Sequence, residues 1–156
     1  MTIEALQTAI HVEQPKGEKS HIWPSEDEMA AVLVTCDEIV AGQRDRVVLD
    51  LLFVAGLRRA EAAALTFEAA KLMPIKGKFR TVLDVQGKGA KDRIVPVSDR
   101  LADILSAWRA QVRDGRICRS LKRNHELRES MSTVDIFDVV RQRGALIGRE
   151  ELAAHD

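Results

Sequence analysis

The chain has 156 residues, 46% hydrophobic and 31% charged, a length and balance suited to one globular domain with a buried core. Its longest apolar stretch, 47–57, is broken by Asp50 and falls well short of the roughly 20 residues a membrane helix needs, and residues 1–20 mix acids and bases without an apolar leader segment, so a cytoplasmic protein with no membrane partner is expected. The formal charge is zero, but residues 1–50 hold 4 Lys/Arg against 10 Asp/Glu while residues 71–130 hold 15 against 7, and a local excess of that size attracts phosphate because distant charges are screened beyond about 10 Å.

That excess is equally compatible with one solvated face, so charge alone leaves the partner open. Cys36 and Cys118 form no C-x-x-C pair, and His11, His21, His125 and His155 are dispersed without helical i, i+4 spacing; neither a metal site nor a cofactor is expected.

Residues 1–23 lack periodicity and contain Gln14-Pro15-Lys16-Gly17, which predicts a linker or arm ahead of a domain over 24–156. Ser25 with Glu28 three residues on predicts a capped helix whose apolar stripe is Met29, Leu33, Cys36, Ile39 and Val40. A second helix, from about Gln43 to Ala55, is apolar nearly all round and therefore central, and Gly56 is placed to end it in the left-handed conformation. Leu57 to Leu65 resume as a short alanine-rich helix, with Arg58 at a buried junction.

Residues 72–79, containing Pro74 and Gly77, read as a loop, followed by strands at 81–85 and 94–97 and a glycine-containing hairpin between them. Pro96 makes the second strand an edge. Ser98 caps the next helix, whose buried stripe is Leu101, Ile104, Leu105, Trp108 and Val112 and whose end is marked by Gly115. A basic loop over 116–128 precedes a helix over 133–146 with Ile136, Phe137 and Val140 inward. The expected fold class is mainly α with a small antiparallel β-sheet (α+β).

Two features carry chemistry. Arg58 cannot be deprotonated and, where desolvated, requires an anion; an ion pair with Glu61 one turn on would satisfy it. Lys88 stands at a glycine-flanked hairpin tip, where a lysine is either solvent-exposed or carried into a phosphate site by a backbone that can approach closely; Lys91 and Arg93 add positive charge there. The Gly-Lys pairs are not phosphate-binding loops of the Walker type, because the upstream glycine and the following Ser/Thr are missing.

In chain order, Gly56-Leu57-Arg58-Arg59-Ala60-Glu61 and then Gly87-Lys88-Gly89-Ala90-Lys91-Asp92-Arg93, set between a central helix and a capped one, resemble the first catalytic box and the lysine hairpin of the tyrosine recombinases, the phage integrase family of site-specific DNA recombinases. The resemblance runs from about residue 22 to the end and includes Arg44-Asp45-Arg46 before the central helix. It implies an incomplete DNA breaking-rejoining catalytic core. By that resemblance Arg58 would hold the scissile phosphate, Glu61 would support it, Lys88 would be the general acid for the leaving 5′ oxygen, and His155-Asp156 would begin the family's His-x-x-Arg box. Lys91, Arg93, Lys122 and Arg123 would contact the DNA phosphate backbone, and an intact parent would self-associate on DNA.

The family's covalent 3′-phosphotyrosyl intermediate needs a phenol, and the chain has no Tyr. The expectation is a truncated, DNA-binding part of a recombinase that does not itself cleave strands. The competing expectations are a non-catalytic DNA-binding regulator on a related helical scaffold, or an interaction module whose basic loop pairs with an acidic partner.

Overall fold

The computed structural model describes residues 23–87, 89 and 91–153. Among them are five α-helices and one antiparallel sheet: α1 (Glu26–Val34), α2 (Val40–Leu49), α3 (Arg59–Ala64), β1 (Ala70–Ile75), β2 (Lys78–Gln86), β3 (Asp92–Pro96), α4 (Asp99–Val112) and α5 (Thr133–Ala145). The sheet order is β1-β2-β3. The fold is therefore mainly helical with a small antiparallel sheet. Except for Trp23, the arm expected over 1–23 lies outside the described residues, as do Lys88 and His155.

The capping box that starts α1 is present: the Ser25 hydroxyl accepts the Glu28 N–H at 3.2 Å and Glu28 returns by accepting the Ser25 N–H at 3.1 Å. The stripe does not continue as one helix. The chain leaves α1 at Thr35, Ile39 becomes the extended residue before α2, and its side chain is exposed, while Ala31 and Val32 take the buried positions. The apolar spacing over 29–40 spans two helices and the turn between them.

α2 starts earlier than the apolar run alone indicates, at Val40, and its last turn widens into a π-helical segment over Asp50–Val54. Residues 47–53 are all buried across the junction of the two helical forms, as expected of a helix packed on every side. Val54, expected inside, is exposed. Gly56 then adopts φ +72°, the left-handed turn anticipated for it. Leu57 goes into the core and Arg58, expected at a buried junction, faces solvent as the residue before α3.

The segment 72–79 is not a loop. It is most of the β1–β2 hairpin, with Pro74 paired to Phe79 and a two-residue turn at Lys76-Gly77, both at positive φ. Proline is tolerated because β1 is an edge, as β3 is for Pro96. α4 ends at Val112, with Arg113 at φ 76° and Gly115, expected just past the end, at φ 104°.

The core runs along α2: Leu49, Leu51 and Leu52 meet Leu83, Leu101, Ile117, Ile136 and Leu152, all fully buried. Within it the Trp108 Nε1–H donates to the Ile117 carbonyl at 2.9 Å, which satisfies one polar group from α4 and one from the following loop. Phe137 is not inward like Ile136; half-buried, it lies between the Arg59 and Arg141 guanidinium groups, 5.3 and 5.2 Å from its ring centroid.

Charged residues link distant parts of the chain. Asp45 accepts from Arg44 Nε at 2.6 Å and from Arg143 Nε at 2.9 Å, and Arg143 Nη1 donates on to the Thr35 carbonyl at 2.7 Å. This network joins the end of α1, α2 and α5. Glu28 pairs with Arg149, which ties the start of the described chain to its end.

Candidate functional site

The chain around Arg58 is built from its own backbone upward. Gly56 reverses direction, Leu57 anchors in the core, and Arg58 is left extended with its backbone N–H pointing at the next turn. Glu61, at the third helical position of α3, turns back to accept that N–H at 2.9 Å. Arginine has no acceptor, so only this half of a capping box exists.

The Arg58–Glu61 ion pair that the spacing allows does not form. Glu61 is taken by Arg93 of β3, whose Nη2 donates to Oε1 at 2.9 Å while Nη1 engages Oε2. This forked pair fastens the lysine hairpin to α3 across 32 residues of sequence. The Arg93 hydrogen bond holds the Glu61 carboxyl below its ordinary value against the effect of burial, with the Arg58 N–H and the two guanidinium charges adding to it. Arg93 is raised in return, chiefly by the same hydrogen bond.

Arg58 itself is in no ion pair among the described residues. It opens onto a groove of about 660 Å³ lined also by Arg59, Glu61, Gln86, Gly87 and Thr133. The groove is net positive because its one carboxylate is already matched by Arg93. α3, the Gly87 end of the hairpin and the first residue of α5 thus converge on one concave, cationic surface. A neighbouring cleft of about 540 Å³ differs: Arg44 and Arg128 share it with Asp135 and Asp138, so its charges balance internally.

Gly87 is required where it stands. Its N–H donates to the Lys91 carbonyl at 2.9 Å, and a Cβ there would lie 2.2 Å from that same oxygen. The Gly87–Lys91 hydrogen bond closes this turn beside the groove.

Of the sequence-nominated residues, Arg58, Glu61 and Arg93 come together at this groove. Lys91 is exposed on the same hairpin. Lys122 and Arg123 do not line it: they lie on a separate turn closed by the Leu121–Leu127 bridge, with Lys122 3.7 Å from Glu126. Gln86 and Thr133 were not nominated. The start of α5 after Ser132 is readable, but only the tertiary fold brings it opposite α3.

Chemically, the groove can hold a tetrahedral anion and stabilise added charge on it. It offers no activated nucleophile among its described residues, since the Thr133 hydroxyl has no free base beside it and Glu61 is fully engaged.

Comparison with known proteins gives a consistent result. The profile described as "Phage integrase family" matches residues 23–156. Among curated proteins, the chain is 34% identical over 114 residues to tyrosine recombinase XerD of Pseudomonas putida, covering 72% of this chain and 35% of that protein. It is 33% identical over 145 residues to tyrosine recombinase XerD of Staphylococcus epidermidis, covering 90% and 47%. The chain therefore spans about half the length, or less, of these relatives. Among solved structures, XerA recombinase superposes with TM-score 0.62 at 17% identity over 97% of this chain and 54% of the other. XerH bound to its difH substrate in a pre-cleavage complex superposes with TM-score 0.60 at 16% identity over 96% and 48%. The ordered boxes at 56–61 and 87–93, the fold around them and these matches agree: the chain belongs to the phage integrase family, the tyrosine recombinases.

Proposed function

We propose that this chain is a DNA-binding part of a site-specific recombinase, comprising over residues 24–156 a portion of the catalytic domain, and that it does not cleave DNA by itself. The observation that carries this reading is the cationic groove in which Arg58 is left without an ion pair while Arg93 neutralises Glu61. A DNA phosphate is the anion whose size and charge suit it. XerH, which shares the fold, is described in complex with a DNA substrate.

In the intact parent the reaction would be integration or recombination through a 3′-phosphotyrosyl link. Arg58 holds the scissile phosphate, and its donors gain strength as negative charge gathers on the non-bridging oxygens of the pentacoordinate transition state. Lys88 supplies the proton to the departing 5′ oxygen, and His155 opens the His-x-x-Arg box of the same site. Glu61 and Arg93 position α3 against the hairpin. Lys91, Lys122 and Arg123, with the exposed side of Arg93, bind backbone phosphates. Self-association on DNA belongs to the parent.

The attacking group is a phenol in this chemistry, and these 156 residues contain none. Binding therefore proceeds to phosphate contact and stops before a covalent step. The test is a titration of a labelled duplex at increasing salt, followed by denaturing electrophoresis. The reading requires affinity that falls steeply with log salt, about 0.9 per phosphate neutralised, and no protein–DNA adduct that survives denaturation. Salt-independent binding, no binding at low salt, or a covalent adduct would overturn it.

A further inference from the structure

The β1–β2 hairpin is the one part of the sheet that the site above does not use. β3 pairs only with Val82–Gln86 of β2, and Val97 just after it donates to the Thr81 carbonyl at 3.1 Å, so Lys78–Arg80 are paired to β1 alone and form a protruding two-stranded ribbon. Its tip is tight, with Lys76 at φ 50° and Gly77 at φ 78° as the two central residues. The register sets Leu72, Pro74 and Phe79 on one face, Pro74 directly opposite Phe79. Phe79 is 76% exposed and Leu72 72%, an unusual cost for a two-stranded arm.

The arm's charges have one sign, and the register sets Lys71, Lys78 and Arg80 on the face opposite Phe79 with Lys76 at the tip between the two faces. Residues 71–80 contain Lys71, Lys76, Lys78 and Arg80 and no acid. At the base of the arm Lys71 is 3.4 Å from Asp84 and Arg80 donates to the Val97 carbonyl at 3.4 Å, whereas Lys76 and Lys78 at the tip are in no ion pair among the described residues.

We propose that this hairpin is a second DNA-contacting arm, in which Lys76 and Lys78 seat on backbone phosphates while Phe79, backed by Pro74 and Leu72, wedges against a base step in the minor groove and bends the duplex. The inference rests on the DNA-binding reading above. Charge selects the occupant: a second copy of this chain would bring two sets of unpaired lysines together, while a polyanion with apolar base faces matches both halves of the surface. An apolar wedge flanked by cations is how many proteins unstack and kink a minor groove. The arm lies at the opposite end of β2 from Gly87; with a rise of about 3.3 Å per residue, Phe79 stands roughly 26 Å along the strand from the Arg58 groove, or about eight base pairs of duplex.

The test compares the chain with Phe79→Ala and with Lys76→Asn/Lys78→Gln, asparagine being chosen because it tolerates positive φ. Binding is read by anisotropy across a salt series, bending by energy transfer between labelled duplex ends, and association state by sedimentation. The expected results are a duplex bent by about 20–90° by the unaltered chain, bending lost with the salt slope kept in Phe79→Ala, and a slope reduced by about 2 in the lysine variant. The arm is excluded as a DNA contact if the unaltered chain binds without bending, if both variants match it, or if Phe79→Ala changes only the association state, which would mark the patch as a protein contact. Failure of the unaltered chain to bind DNA at low salt removes the underlying reading as well; retained binding with indifferent variants removes only the arm.

Discussion

Arg93 and Glu61 form the joint on which the site depends: Arg93 Nη2 donates to Glu61 Oε1 at 2.9 Å, and the same Glu61 oxygen accepts the Arg58 N–H at 2.9 Å. One carboxylate thus orients the arginine box from below and anchors the lysine hairpin from the side. Because Arg93 cancels its charge, Arg58 is available to an external anion.

The joint has a defined pH dependence. The Glu61 carboxyl lies below its ordinary value near 4.5, first because of the Arg93 hydrogen bond. A depressed folded value means the stabilisation is complete above about pH 4.5 and is lost as pH falls through the lower folded value. Glu61→Gln is expected to cost about 1–2 kcal/mol at pH 7, with the difference from the unaltered chain shrinking toward pH 3. Urea unfolding at both pH values measures it.

Asp45 is the more severe deletion. It sits buried between Arg44 and Arg143, themselves 13% and 15% exposed, so removing it leaves two desolvated cations without their anion. Asp45→Ala is expected to destabilise by about 3–5 kcal/mol. Chemical denaturation should show that cost, and Arg143→Ala should add little to it because both act in one network.

Gly87→Ala should act locally. The new methyl carbon would be placed 2.2 Å from the Lys91 carbonyl oxygen, so the turn must open and the Gly87–Lys91 hydrogen bond must break. Hydrogen exchange is expected to rise across 86–93 while α2 stays protected. DNA affinity should fall with it, because the exposed Lys91 loses its fixed position on the hairpin.

The two thiols should separate cleanly. Cys118 is fully buried and burial pushes it up to about 12, while Cys36 is only partly buried and raised less, again by burial first. At pH 8 a thiol reagent is expected to label Cys36 slowly and Cys118 only on unfolding, at a rate that tracks denaturant concentration. Mass spectrometry of labelled peptides distinguishes them.

Local signals were legible and tertiary ones were not. Ser25 with Glu28, Gly56 and Ser98 each act through a few neighbouring residues, so their roles follow from spacing alone. The π-helical turn at Asp50–Val54 was hidden because an all-round apolar run satisfies either helix type once both faces are buried. Residues 72–79 look like a loop in sequence because Pro74 and Gly77 are turn residues in general, and only the pairing of Pro74 with Phe79 at a sheet edge makes the segment a hairpin. The Arg58 box was visible as a motif, but the spacing offered Glu61 to Arg58, and the partner that actually takes it, Arg93, lies 32 residues away. Gln86 and Thr133 carry no local signal of facing that box.

The most direct test of the central claim is a salt series of duplex binding for the chain and for Arg58→Gln, whose side chain keeps hydrogen-bonding capacity without charge. The groove reading requires the variant to bind severalfold more weakly and to lose about 1 from the slope of log affinity against log salt, as expected for one phosphate contact. Equal affinity and equal slope would show that Arg58 meets no phosphate, and the groove would then not be where this chain holds DNA.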